Sequence, residues 1–180
     1  MRELVRAFDE KVDAVFDRWR GQPRADRLFY VASDVADFGL LWVLLAASRG
    51  VRGGRVNERA AVRGIVGTGI ESVLVNLVLK SLIGRVRPRH QEARPHRLRQ
   101  PLTSSFPSGH ATAAFCAAVL LSEEDPLAPV YFAAATVVAA SRIHVKIHHP
   151  SDVAAGVAIG LALGWIGRRL VPLHPRAETS

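Results

Sequence analysis

Between Lys80 and Asp152 the chain carries the residue types that cleavage of a phosphate ester requires: a nucleophile, a proton donor and fixed positive charge for the phosphoryl oxygens. His148 stands four residues before Asp152, and Pro150 between them suits the first turn of a helix. That spacing lets the Asp152 carboxylate accept a hydrogen bond from one imidazole nitrogen and leaves the other nucleophilic. His110 follows Pro107, Ser108 and Gly109 at the expected start of another helix, where a glycine admits backbone N–H groups to an anion and the helix dipole favours it. There His110 is placed to protonate a leaving alkoxide. Lys80 and Arg87 are seven residues apart, two helical turns, and so are expected on one helix face. Arg142, six residues before His148, can add a bidentate contact to phosphate oxygens. Singly, Lys80 reads as a snorkelling lysine, Arg87 as a loop charge and His110 as a cap; together they point to chemistry.

The elements that must position these residues are apolar blocks. Residues 28–48, 64–84, 108–122, 127–141 and 151–170 are read as five membrane spans, the third and fourth short for a bilayer. Ahead of them, residues 3–20 put Leu4, Val5, Phe8, Val12, Val15, Phe16 and Trp19 at helical spacing among charges, an amphipathic helix suited to the interface. The fold class is therefore all-α: an integral membrane helical bundle of about five transmembrane helices plus an N-terminal interfacial helix. The expected division is 1–27 for that helix and its linker, 28–171 for the transmembrane domain, and 172–180 for a disordered tail. Arg49, Arg52, Arg55, Arg59 and Arg63 form a basic loop between the first two spans, and Glu123 to Pro126 a tight acidic turn. Proline and arginine crowd residues 85–107, a loop over the pocket. Gly156, Gly160 and Gly164 make one smooth face for close helix packing inside the bundle, with a homodimer seam as the less favoured use. Asp34, Asp37 and Glu71 fall within spans, where ionisable groups are usually paired; Glu71 is expected to meet an arginine as helix glue.

A net charge of +8 raises the question of nucleic acid, but aromatic residues make up only 7% of the chain and do not interleave with the arginines as a stacking platform would. Phosphate substrates and anionic headgroups account for the charge instead. The single cysteine, Cys116, lies in an apolar run and reads as a packing residue. No cleaved signal peptide is expected in the charged N-terminus.

Lys80-Ser81-Leu82-Ile83-Gly84-Arg85-Val86-Arg87-Pro88, then Pro107-Ser108-Gly109-His110, then Ser141-Arg142 with His148 and Asp152, together resemble the tripartite signature of the type 2 phosphatidic acid phosphatase superfamily. The resemblance implies a lipid phosphatase in which His148 forms a phosphohistidine, Asp152 orients it and His110 protonates the leaving group. It implies that Lys80, Arg87, Ser108, Gly109 and Arg142 bind the phosphate, with no metal and no cofactor; His90, His96, His144 and His149 in the same loops are not read as ligands. The implied substrate is a membrane lipid phosphate or pyrophosphate: a polyprenyl carrier first, then phosphatidate or phosphatidylglycerol phosphate. An acid phosphatase or haloperoxidase-like enzyme with the same pocket, and an inactive lipid-binding membrane protein, are the alternatives. Lysine and arginine are more numerous on the motif side, which by the positive-inside rule would face the cytoplasm. The resemblance implies instead a multi-pass protein of the plasma membrane with its site facing outward.

Overall fold

A computed structural model describes residues 2–88, 95, 96, 98, 99 and 103–174. These form seven helices among the described residues: α1 (Arg2–Asp17), α2 (Pro23–Val35), α3 (Leu40–Gly50), α4 (Arg55–Leu82), α5 (Gly109–Ser122), α6 (Ala128–His144) and α7 (Pro150–Leu170).

The bundle is built around α5. Nine of its fourteen residues are buried, because its apolar side chains are distributed around the whole helix rather than along one stripe. It is clasped by α4, α6 and α7. The close approach of α7 depends on its glycines: a Cβ at Gly160 would lie 2.4 Å from the Thr112 carbonyl oxygen, and one at Gly156 2.7 Å from that of Ser108. The smooth face of α7 is thus filled from within the bundle by α5. On the other side, Gly64 and Gly67 of α4 receive the Leu121 and Leu120 side chains.

By length and composition α4 and α7 can cross a membrane, and α2 with α3 makes a third span if the bent pair is counted as one. Against the five expected spans, the first is not continuous, and the third and fourth are as short as expected. The first is broken by 59° near Asp37–Gly39, where Phe38 and Gly39 adopt positive φ of 57° and 72°. The third and fourth, α5 and α6, have 14 and 17 residues. For α5 the shortness has a physical reason, since a helix enclosed by its neighbours need not match the hydrocarbon thickness.

α1 lies against α6 and α7, with Val12 and Phe16 packed on Ala111, Ala139, Ile143 and Val153. Further along the same apolar stripe Leu4 and Phe8 stay exposed, as an interfacial helix requires. At the other end, Leu173 is buried and its carbonyl accepts from Arg59 Nη1 at 3.0 Å, so the chain remains packed past residue 172; residues 175–180 of the expected tail lie outside the described residues.

Candidate active site

The three motifs meet at one end of the bundle. His148 lies in the connection from α6 to α7 and is 3% exposed. Two backbone bonds to the Arg142 carbonyl, from Ile147 at 3.3 Å and His148 at 3.2 Å, fold this connection back on the end of α6. The imidazole Nδ1 sits 2.7 Å from the Ser105 carbonyl oxygen, which can only accept, so Nδ1 carries the proton and Nε2 its lone pair. Nε2 faces Arg87 Nη1 at 3.3 Å.

The sequence spacing predicts Asp152 as acceptor for that ring, but its Oδ2 lies 3.9 Å from Nδ1 and the Ser105 carbonyl occupies the hydrogen-bonding position. Asp152 instead opens α7, where Oδ2 accepts from the His149 amide at 2.8 Å and Oδ1 from Arg85 Nη1 at 2.6 Å. Burial, reinforced by the charges of Arg142 and Arg87, pushes the His148 imidazole down to about 3 against the opposing effect of Asp152. At neutral pH the ring is uncharged, the form in which a histidine attacks phosphorus.

Arg87 is not on a helix face with Lys80. Helix α4 ends at Leu82, Ile83 is extended, and the following segment runs beside residues 103–107, with Ser105 donating its amide to the Arg85 carbonyl at 2.9 Å. Arg87 is held in this segment by three backbone carbonyls, those of Thr103, Ser104 and Ile147, each at 3.1 Å. No carboxylate pairs with it among the described residues.

Lys80 follows a π-helical turn at Leu74–Leu79 and donates to Asn76 Oδ1 at 2.8 Å. A Cβ at Gly109 would stand 3.2 Å from Lys80 Nζ, so the missing side chain lets the ammonium lie over the first turn of α5. Ser108 is fully buried and caps α5, its hydroxyl oxygen accepting from the Ala111 amide at 3.5 Å. Arg142, 1% exposed, donates to the Ser33 hydroxyl of α2, and its charge reaches His148.

His110 Nε2 lies 2.9 Å from Asp37 Oδ1. This carboxylate is available because the chain breaks at Asp37–Gly39, and its position as an ionisable residue in a predicted span was the signal for it. Glu71, marked by the same signal, departs from expectation: it is buried, and neither carboxyl oxygen has a hydrogen-bond partner among the described residues. Asn76, Ser105, Arg85 and Ser33 had no such signal, since a backbone carbonyl or a helix-to-helix contact is not written in local spacing. His144 is held by Asp26 at 2.7 Å and Lys146 by Asp13 at 3.3 Å, in pairings that tie the end of α6 to α2 and the connection after it to α1; His90 lies outside the described residues.

What the arrangement can do is bind an anion beside a neutral histidine, with a second histidine poised by a carboxylate. Comparisons with known proteins find phosphatases among those similar to this chain. A decaprenylphosphoryl-5-phosphoribose phosphatase of Mycobacterium tuberculosis is 38% identical over 92 residues, covering 51% of this chain and 51% of that protein, so the chain spans about half the length of that relative. A lipid A 1-phosphatase of Rhizobium etli is 38% identical over 106 residues, covering 54% of this chain and 44% of that protein. A solved transmembrane PAP2-type phosphatidylglycerolphosphate phosphatase of Bacillus subtilis shares the fold with a TM-score of 0.72 at 24% identity, covering 96% of this chain and 89% of that one. The profile of the PAP2 superfamily matches residues 61–176, which include every motif residue assembled at this end of the bundle, and the chain belongs to that superfamily.

Proposed function

We propose that the protein is a lipid phosphatase that transfers the phosphoryl group of a membrane lipid phosphate to His148 and then to water. The observation that carries this reading is the pairing of a buried neutral imidazole, its Nδ1 proton given to the Ser105 carbonyl, with Arg87, which forms no ion pair with a carboxylate among the described residues. In the first step Nε2 of His148 attacks phosphorus, the P–O bond to the lipid breaks, and His110 gives the leaving oxygen its proton. Water then attacks the phosphohistidine, His110 takes the proton back, and inorganic phosphate leaves. Lys80, Arg87, Arg142 and the start of α5 at Gly109 offset the charge on the phosphoryl oxygens. Ser108 contributes by holding that helix start, and Asp37 by holding His110 Nε2.

Polyprenyl phosphates and pyrophosphates are the favoured substrates, ahead of phosphatidate and phosphatidylglycerol phosphate. The named activity of the mycobacterial relative supports that order. Three cations arrayed around one site supply the charge that a metal would otherwise bring, so the reaction is read as metal-independent. The same reading makes residues 28–171 the phosphatase domain, in the plasma membrane with the motif loops facing outward.

The test is phosphate release by the detergent-purified protein in EDTA, across these lipids, beside His148→Ala. Release from one lipid that vanishes in the variant supports both substrate class and nucleophile. Release that survives His148→Ala rejects the phosphohistidine, and release that requires a divalent metal rejects metal independence.

A further inference from the structure

The first free amide of α7 is received by a side chain from the opposite end of the sequence. Asp9 of α1 is 7% exposed, the one buried residue of that helix. Its Oδ1 accepts from the Ser151 amide at 2.7 Å and its Oδ2 from the Ser151 hydroxyl at 2.9 Å. The same Oδ2 meets Arg85 Nη2 at 2.7 Å. Arg85 then forks: Nη1 reaches the Ser151 hydroxyl at 2.7 Å and Asp152 Oδ1 at 2.6 Å. Asp152 is fully buried, and its second oxygen is the one 3.9 Å from His148 Nδ1.

Charge decides what this chain of contacts does. Asp152 paired with Arg85 alone is neutral and would exert little field on the adjacent ring. With Asp9 bound to the far side of the guanidinium, the trio keeps one net negative charge, and the orientation of Asp152 is fixed from two elements at once. A negative charge beside Nδ1 favours the proton on that nitrogen and strengthens its bond to the Ser105 carbonyl.

We infer that Asp9 is a positioning residue for the nucleophilic imidazole, acting through Arg85 on Asp152. The inference rests on the reading of His148 as nucleophile. It gives the N-terminal amphipathic helix a part in turnover: α1 supplies the carboxylate that leaves the trio with a net negative charge and, by holding Arg85, keeps Asp152 in place. Asp13, Asp17 and Arg20 of the same region add to the attachment, Arg20 donating to the His144 and Ile143 carbonyls at 2.9 and 2.8 Å.

The experiment compares wild type, Asp9→Asn, Asp9→Glu and Arg85→Gln as full-length protein in detergent. Asp9→Asn should lower kcat about tenfold, the scale seen when an outer partner of a functional histidine is removed, with KM changed by less than about threefold. Asp9→Glu should recover most of that loss. Joined to Arg85→Gln, Asp9→Asn should add nothing further, because both break one relay. The 15N spectrum of the His148 imidazole at neutral pH should show a smaller Nδ1–H tautomer fraction in Asp9→Asn. An unchanged kcat, or losses that add in the double variant without rescue by glutamate, overturns the relay and leaves Asp9 a cap of α7. Should Asp9→Asn fail to fold, Arg85→Gln carries the test alone, since it leaves the Ser151 contacts of Asp9 intact; normal kcat there overturns the inference. If wild type releases no phosphate from any lipid, the functional reading falls, and the spectrum still decides: identical tautomer fractions in wild type and Asp9→Asn overturn the inference.

Discussion

The two ends of the bundle are both rich in arginine, and Arg87 at one end is used in the opposite way to Arg49 and Arg63 at the other. At the motif end Arg87 is held by backbone carbonyls and meets no carboxylate among the described residues, which leaves its positive charge for an anion. At the other end Arg49 is fully buried and forms an ion pair with Asp125 at 3.2 Å, while its guanidinium also donates to the carbonyls of Leu121 and Glu123. Arg63, also buried, pairs with Glu123 at 2.6 Å and donates to Leu120 O at 2.7 Å. These arginines satisfy the last carbonyls of α5, which a buried helix end cannot give to water. The expected basic loop of residues 49–63 is thus, at Arg49 and Arg63, an interior clamp. An arginine whose charge is matched by carboxylates holds structure; one whose fork is spent on carbonyls keeps its charge for a ligand.

The largest effect that could break this contrast is His148→Ala. Phosphate release should fall by about a thousandfold or more while the detergent-purified protein remains helical by circular dichroism. Arg87→Lys keeps the charge but loses the fork that reaches three carbonyls, so kcat/KM should fall on the order of tenfold to a hundredfold with little change in melting temperature. At the opposite end the signs should exchange. Asp125 accepts from both nitrogens of Arg52, from the Tyr131 hydroxyl at 2.8 Å and from the Leu127 amide at 3.0 Å, and Arg52 above all holds its carboxyl well below the usual carboxylate range. Asp125→Ala strands Arg49 in the interior and should reduce stability by about 3 kcal/mol, with activity per folded molecule near wild type. Equal losses of stability at both ends would dissolve the distinction.

Gly160→Ala should have a smaller effect, about 1 to 3 kcal/mol, because its methyl group would meet the Thr112 carbonyl and push α7 from α5. A pH dependence follows as well. The His148 imidazole is held down to about 3 from an ordinary 6.5, so the unfolded chain takes up a proton that the folded one refuses. Its contribution is fully present above about 6.5 and is lost as pH falls toward 3; Asp125 adds its own loss only below the ordinary carboxylate value of 3.8. Thermal melts between pH 7 and 4 should therefore decline less in His148→Ala than in wild type. An identical decline in both would place the titrating group elsewhere.

Much of this was legible in the chain itself. The apolar blocks marked the helices, and α7 runs from Pro150 to Leu170 against an expected span of 151–170. The motif spacings named His148, His110, Lys80, Arg87 and Arg142, and the structure brings them to one end of the bundle. The smooth glycine face of α7 was legible too, and it packs within the bundle on α5 as the favoured expectation had it. What spacing predicted less well were the partners. Asp152 stands at the right sequence distance from His148, yet the Ser105 carbonyl takes the ring proton, because the 83–88 segment leaves the helix and brings residues 103–107 alongside it.

Local sequence determined this protein's helices, its superfamily and the residue types at its reactive end, since periodicity and motif spacing are properties of neighbouring residues. Only the tertiary structure decided which arginines are neutralised, which carboxylate faces His110 and that Asp9 reaches Arg85. Those are contacts between segments as many as 76 residues apart, as for Asp9 and Arg85, and burial sets their strength.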